Sequence, residues 1–112
     1  GVVTDTSEGG SICGVMITDN YFWGYYGVRI TSDRFTDFSI INNYFVESNG
    51  GSIYITDSVR NRIEGNIIYC GGGARYSLYI GAIDEETVLR YNIVSGKCKI
   101  PNKNNYQEDN FF

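Results

Sequence analysis

Acid–base chemistry in this chain would rest on carboxylates, tyrosine, lysine, arginine or cysteine, because its 112 residues include no histidine. Histidine-containing triads, imidazole bases and histidine-ligated zinc are therefore excluded. Carboxylates near the predicted strands are the candidates for proton transfer: Asp33, Glu47, Asp57 and Asp84. Aspartate is also a common turn residue, so a purely conformational role is the alternative for each.

The three cysteines, Cys13, Cys70 and Cys98, lack the spacing of a redox or zinc motif, and an odd number cannot all pair. They suit a reducing compartment or buried apolar positions better than a disulfide framework. No other motif indicates a bound metal or an organic cofactor. We expect neither.

Composition favours a single, all-β domain. The chain is 42% hydrophobic and 15% aromatic, with 14 glycines and one proline, which is typical of short strands joined by tight turns. The formal net charge of -4 gives no basic footprint for nucleic acid. No apolar run approaches the roughly 20 residues that span a bilayer, so no membrane span is expected.

A repeat with intervals of 23, 23 and 26 residues runs through the chain. Each copy contains an asparagine, with an apolar residue three positions before it and another two positions after it. The aligned segments are residues 15–22, 38–45, 62–68 and 88–94, with asparagines Asn20, Asn43, Asn66 and Asn92. A fixed period of this length is typical of solenoids and propellers.

A second repeated strand lies between these segments, at residues 28–31, 53–56 and 78–81. Side chains alternate between the two faces of a strand. The inward row comprises Val28, Ile30, Ile53, Ile55, Leu78 and Ile80, and the outward row comprises Arg29, Thr31, Tyr54, Thr56 and Tyr79. One face of this strand is therefore predicted to be core and the other to meet solvent.

Each repeat predicts three short strands, as at residues 52–56, 62–64 and 67–69, so the fold class is an all-β parallel β-helix, a solenoid of about four coils. The asparagine suits the bend because it tolerates a left-handed φ and can bond to its equivalent one coil away, forming a ladder. An antiparallel sandwich is the alternative fold. A short helix after Asp84 is the alternative to a strand around residue 89.

The coils are predicted to occupy residues 1–100, and a polar tail residues 101–112. Residues 97–100 begin one more strand, with Cys98 and Ile100 inward. Pro101 then ends it, because proline cannot donate to a sheet. Four coils are few for a solenoid, which is stabilised by neighbouring coils. We therefore expect a longer β-helix or a homo-oligomer, such as a trimer.

The asparagine at the second turn, seen in Asp19-Asn20, Asn42-Asn43, Gly65-Asn66 and Tyr91-Asn92, resembles that of the right-handed parallel β-helix (pectate lyase-like) family. Residues 15–100 are most similar to a segment of a bacteriophage tailspike or appendage protein. The resemblance implies that the strands at 28–31, 53–56 and 78–81, with their leading loops at 23–27, 47–51 and 70–76, form a carbohydrate groove. These loops are short, whereas lyases of the family often carry long ones.

Aromatic residues beside this predicted groove suit sugar rings, and neighbouring polar side chains suit their hydroxyls. The predicted substrate-binding set is Trp23, Tyr25, Tyr26, Arg29, Tyr54, Thr56 and Tyr79, with Arg75 and Tyr76 nearby. The alternative is that Tyr54 and Tyr79 form only a cross-strand stack, or pack against another subunit. Hydrolysis would need two carboxyls about 5 to 9.5 Å apart, with Asp57, Asp33 and Glu47 as candidates.

Two functions follow from these patterns. The first is a carbohydrate-recognising segment of a tailspike-like protein, at an extracellular surface or on a virion, which binds a surface polysaccharide and, given paired carboxylates, cleaves it. The alternative is a structural, oligomerising β-helix segment of a viral or surface assembly without glycan activity.

Overall fold

A computed structural model describes residues 2–3, 12–24, 26–31, 35–46, 51–69, 76–81, 86–100, 106–108 and 110. These residues form short strands and no helix. The strands are β1 (Val2–Val3), β2 (Ile12–Cys13), β3 (Met16–Thr18), β4 (Tyr21–Trp23), β5 (Tyr26–Ile30), β6 (Phe35–Thr36), β7 (Ser39–Ile41), β8 (Tyr44–Val46), β9 (Gly51–Ile55), β10 (Arg62–Glu64), β11 (Ile67–Tyr69), β12 (Leu78–Ile80), β13 (Val88–Arg90), β14 (Ile93–Ser95), β15 (Cys98–Lys99) and β16 (Tyr106–Glu108).

The strands form three large parallel sheets. The first sheet has the order β1-β5-β9-β12-β15, the second β16-β13-β10-β7-β3 and the third β14-β11-β8-β4, and β2 pairs with β6 separately. Each repeat crosses the three sheets in turn, so neighbouring strands of a sheet lie one repeat apart in sequence. This all-β arrangement is compatible with a parallel β-helix. The antiparallel sandwich is wrong for the described residues, because every pairing among them is parallel.

Three apolar rows, one from each large sheet, meet in the core. The rows are Val28, Ile53 and Leu78 in the first sheet, Ile17, Ile40, Ile63 and Leu89 in the second, and Phe22, Phe45, Ile68 and Val94 in the third. All are buried except Phe22, which is partly buried against them. The predicted rows are confirmed, and β13 confirms a strand at residue 89. Burial of these side chains is the main favourable contribution to stability.

The asparagine ladder is confirmed. Asn43 Nδ2 donates to Asn66 Oδ1 at 3.2 Å, and Asn66 Nδ2 donates to Asn92 Oδ1 at 3.0 Å. Asn20 makes the same contact to Asn43 at 3.2 Å. Each Oδ1 also accepts a backbone N–H from the asparagine of the preceding repeat. Hydrogen bonds of this kind allow amide side chains to be buried at the corner between the second and third sheets.

The expectation that the ladder asparagines themselves adopt left-handed φ is wrong. The residue before each of them does so: Asp19 at 57°, Asn42 at 55°, Gly65 at 65° and Tyr91 at 55°. The physical reason is that the asparagine amide points inward to the ladder, so the preceding residue takes the bend. A Cβ on Gly65 would meet Asn42 Oδ1, the end of an exposed and flexible side chain, so the positive φ is the main reason for glycine there.

The turn predicted before the second sheet forms a second corner with its own left-handed residues, which the sequence pattern did not indicate. The left-handed residues there are Gly14 at 76°, Asp37 at 58°, Arg60 at 56° and Glu86 at 58°. Arg60 Nε and Nη2 donate to the Asp37 carboxylate at 3.0 and 3.1 Å. The pKa of Asp37 is lowered, first by the hydrogen bond from Arg60 and then by that from the Thr36 hydroxyl. This ion pair links two successive repeats at the surface.

The end of the chain continues two sheets. Strand β15 pairs with β12, and Cys98 and Ile100 pack against the core, as predicted. Strand β16, within the residues expected to be a polar tail, pairs with β13. Asn92 Nδ2 donates to Asn110 Oδ1 at 2.9 Å, so Asn110 is a fifth member of the ladder.

Candidate functional site

The outward row of the first sheet brings together aromatic and cationic side chains from four successive repeats. Arg29 is in register with Tyr54, Tyr54 with Tyr79, and Tyr79 with Lys99. These four residues are named here the tyrosine–cation column. The strand pattern predicted this placement, since Val28, Ile53 and Leu78 on the same strands point into the core.

The side chains of the tyrosine–cation column contact one another along the sheet. The Tyr54 and Tyr79 rings stack with centroids 4.7 Å apart and an interplanar angle of 11°. The Arg29 guanidinium carbon lies 4.7 Å from the Tyr54 centroid, and Lys99 Nζ lies 5.3 Å from that of Tyr79. These are cation–π distances. The two ring faces are therefore covered by neighbours, while the edges and hydroxyls point away from the backbone.

Two further rings flank the column. The centroid of the Tyr26 ring lies 5.0 Å from the Arg29 guanidinium carbon. The ring centroids of Tyr76 and Tyr79 lie 5.3 Å apart, at an interplanar angle of 54°. Gly51 is in register with Tyr26. A Cβ on Gly51 would lie 2.9 Å from the Tyr76 carbonyl oxygen, so the backbone approaches closely there. The column and its flanking rings form one partly exposed polar and aromatic surface.

Of the predicted substrate-binding residues, the structure brings together Tyr26, Arg29, Tyr54 and Tyr79. Thr56 follows β9 and donates its backbone N–H to the Ile30 carbonyl oxygen at 2.8 Å. Trp23, expected in the loop that leads to the first sheet, instead ends β4 in the third sheet. Its pairing with Val46 extends the third sheet as far as the corner that leads to β5 of the first sheet.

Several predicted residues lie outside the described residues, namely Tyr25, Arg75, Asp33, Glu47, Asp84 and Cys70. Asp57 is described, is partly buried and has φ 63°, a conformation that aspartate tolerates in turns. Within the described ranges, no cluster of three or more cysteines and carboxylates could hold a metal ion. No helix in the described part is long and apolar enough to span a membrane.

Two described cysteines carry free thiols. Cys13 is exposed, whereas Cys98 packs partly against the core. Burial raises the pKa of the Cys98 thiol to about 11, because the thiolate would be desolvated. Cys98 therefore stays protonated at neutral pH, which agrees with the expected role as a small apolar residue.

The outer side of the third sheet carries a second surface, which sequence reasoning did not single out. It comprises two rows, Tyr21, Tyr44, Ile67 and Ile93 in one, and Trp23, Val46, Tyr69 and Ser95 in the other. The exposed fractions are 71% for Trp23, 68% for Tyr21, 56% for Tyr69, 51% for Ile93 and 41% for both Tyr44 and Ile67. These two rows are named here the exposed apolar face.

A sequence signal for the exposed apolar face was present. The third-sheet strands read Tyr21-Phe22-Trp23, Tyr44-Phe45-Val46 and Ile67-Ile68-Tyr69, without alternation and without a charged residue. By contrast, β10 of the second sheet alternates between charged and apolar residues, as Arg62-Ile63-Glu64. Near-continuous apolar strands are typical of parallel sheets that are covered on both sides.

No protein-family model, curated protein or solved structure matches the chain. The parallel sheets agree with the fold class that the family resemblance implied. Membership of the pectate lyase-like group and similarity to tailspikes stay predictions.

Proposed function

We propose that this chain is a carbohydrate-recognising segment of a right-handed parallel β-helix, as in tailspike-like surface proteins, and that the tyrosine–cation column contacts the glycan. The observation that carries the proposal is the continuity of the column across four repeats. Successive strands of a sheet lie about 4.8 Å apart, so the column presents polar groups at regular intervals along the stacking direction of the strands. An extended polysaccharide can follow such a row.

The chemistry of the contact is hydrogen bonding more than ring stacking. Tyr54 and Tyr79 cover each other's faces, so a pyranose ring has little free face to stack on at these two positions. Their hydroxyls, with the Arg29 guanidinium and the Lys99 ammonium, supply donors and acceptors for sugar hydroxyls.

The variant Tyr54→Phe tests the contact, since it removes the hydroxyl and keeps the stacked ring. We expect oligosaccharide binding by the intact chain, measured by glycan array and then calorimetry. Loss of one neutral hydrogen bond should lower the affinity by about 0.5–1.5 kcal/mol. Tyr44→Phe on the third sheet is the matched control and should bind as the unchanged protein does.

If no glycan binds, or if the two phenylalanine variants bind alike, the column is not the glycan surface. Tyr54→Ala is a further check, with an expected loss in affinity of about 0.5–1.5 kcal/mol. Because that change also removes a stacked ring, its effect on unfolding must be measured in parallel.

A structural role is the second candidate, and the near-parallel stacking of Tyr54 on Tyr79 favours it. In that case the column only holds successive repeats together, in a longer β-helix or an oligomeric viral or surface assembly. Tyr54→Ala would then lower the free energy of unfolding, and no glycan would bind to either form.

Cleavage would extend the first proposal and would require Asp57 together with a second carboxylate such as Asp33 or Glu47. Asparagine tolerates left-handed φ as aspartate does, so Asp57→Asn preserves the turn. If the chain hydrolyses a glycan, Asp57→Asn should abolish turnover and retain binding, because only the carboxylate exchanges a proton. Unchanged turnover would remove Asp57 from the reaction.

A further inference from the structure

The outer side of the third sheet is exposed, although the sequence of its strands is apolar. Its inner side packs in the core through Phe45 and Ile68, and its outer side presents the exposed apolar face. Each of β4, β8 and β11 is apolar at all three positions. The sequence of these strands is therefore that of a sheet buried on both sides.

The area of the exposed apolar face is close to that of an interface. An aromatic side chain carries about 150–250 Å², so the exposed fractions of its four rings correspond to roughly 350–600 Å². Ile67 and Ile93, which are 41% and 51% exposed, add to this area. The total approaches the ~800 Å² that each partner buries in a standard protein–protein interface.

Charge distinguishes this face from the other outer surfaces. The second sheet carries Arg62 and Glu64 on its outer side, and the first carries Arg29 and Lys99. No charged residue occurs in the strands of the third sheet. Two copies of a chain with net charge -4 can therefore approach through this face without bringing like charges together at its centre.

The spacing of the rows also fits a second copy. The side chains of the face stand in lines that repeat at the strand spacing, about 4.8 Å. An identical face has the same period, so the lines of one copy can lie between those of the other. Polysaccharide is a poorer fit, because a sugar site needs several oriented polar groups and the isoleucines supply none.

We propose that the exposed apolar face is the surface through which two copies of this chain associate, face to face about a two-fold axis. The association is independent of the glycan surface, which lies on the first sheet. Tyr21, Trp23 and Tyr69 would become buried, and the outer side of the third sheet would gain the apolar cover that its strands indicate.

Sedimentation equilibrium of the intact chain, over a wide range of protein concentration, tests the proposal. We expect reversible association, and Ile67→Glu should weaken it by about tenfold or more, because a charge would be buried without a partner. Met16→Glu is the matched control, since Met16 is 69% exposed on the second sheet. This control should associate as the unchanged protein does.

Trp23 is the single tryptophan of the chain, so its fluorescence reports on the same face. We expect acrylamide quenching of Trp23 to fall as the protein concentration rises. If circular dichroism shows that Ile67→Glu is unfolded, Ile93→Ser takes its place in both measurements. A chain that stays monomeric, or whose association neither variant weakens, would overturn the proposal. Protection of Trp23 by polysaccharide in a monomer would also overturn it.

Discussion

The outer faces of the first and third sheets are built from similar aromatic residues on the same core, yet they differ in what covers the rings. On the first sheet, Tyr54 and Tyr79 stack at 4.7 Å and are only partly exposed, with Arg29 and Lys99 over the ends of the stack. On the third sheet, Tyr21 and Tyr44 stack at 5.5 Å, but Tyr21 remains 68% exposed. One face thus covers its own aromatic surface, and the other leaves it open.

This difference follows from the pattern of the strands. The first-sheet strands alternate, so the outward positions can carry polar or cationic groups that cap the rings. The third-sheet strands are apolar or aromatic at most outward positions and contain no charged residue, so they supply no cation to cap the rings. Aromatic residues on a β-sheet surface therefore do not by themselves indicate the kind of partner. The residues that lie in register with them on the neighbouring strands indicate the kind of partner.

The largest expected effect concerns the core that both faces share. Ile55→Ala should lower the free energy of unfolding by about 2–5 kcal/mol, because it leaves a cavity at a position with 0% exposure. Ile67→Ala, on the exposed apolar face, should cost within about 1 kcal/mol in the monomer. Urea denaturation measures both. Equal losses would mean that the third-sheet face is as buried as the core, contrary to the comparison.

The next effect concerns the corner that joins the second and third sheets. Asn66→Ala removes four side-chain hydrogen bonds, two accepted from Asn43 and two donated to Ile40 and Asn92. At about 0.5–1.5 kcal/mol for each bond, the loss should be roughly 2–6 kcal/mol, a range that overlaps that of Ile55→Ala.

Asn20→Ala, at the exposed end of the ladder, is the control for Asn66→Ala and should cost less. The loss is smaller because Asn20 is exposed and the change removes two side-chain hydrogen bonds, to the Thr18 carbonyl oxygen and to Asn43 Oδ1, instead of four. Amide hydrogen exchange should show faster opening of β11 and β8 than of β9 in Asn66→Ala. Equal destabilisation by the two alanine variants would leave the ladder without a role in stability. Asn49→Ala, in a predicted loop, should likewise cost less, although Asn49 lies outside the described residues.

A smaller effect is expected from the cation that caps the first-sheet stack. A double-mutant cycle of Arg29→Met and Tyr54→Leu should give a coupling free energy of about 0.5–1 kcal/mol, the value for a partly exposed cation–π pair. The same pair does not exist at Tyr44 on the third sheet, because its register partners in the described strands are Tyr21 and Ile67. A coupling free energy near zero would mean that Arg29 does not stabilise the first-sheet stack, so that the two faces would differ in sequence only.

The smallest effect concerns the surface ion pair of Asp37 and Arg60. Since the pKa of Asp37 is lowered in the folded chain, its contribution to stability is present above the unfolded pKa, near 3.8. It is lost as pH falls through the lowered value. The unfolding midpoint should therefore fall slightly more steeply on acidification in the unchanged protein than in Asp37→Asn. High salt should reduce the difference, and a salt-independent difference would exclude the ion pair as its cause.

Much of the fold could be predicted because stacking repeats leave a strong pattern. The rows through Ile40 and Ile53, the ladder at Asn66 and the strand at residues 97–100 each follow from spacing and from alternation. The left-handed residue was placed one position too late, since Asn42 and Asn43 are both conformationally permissive. Strand β16 was missed because its pairing with β13 depends on neighbours in space, and residues 101–112 carry no repeat interval.

The candidate site was predicted less completely. Tyr54 and Tyr79 could be paired from the interval of 25 residues, but Trp23 was assigned to a loop. Its position at the end of β4 depends on how far the pairing with β8 extends before Gly24. The exposed apolar face was not predicted because the repeat marks the inward positions, such as Phe22 and Phe45, and places no constraint on the residues that flank them.

The sequence by itself determined which side chains face the core and which repeat partners lie in register, because the two-residue alternation of a strand and the interval between repeats are both local properties. Only the tertiary structure decided which aromatic rings are covered. The Arg29 guanidinium reaches the face of Tyr54, whereas nothing charged stands beside Tyr44 in the third sheet. Whether a ring is covered depends on side chains of the neighbouring repeats. It therefore depends on where the strands end and on how side chains pack between repeats.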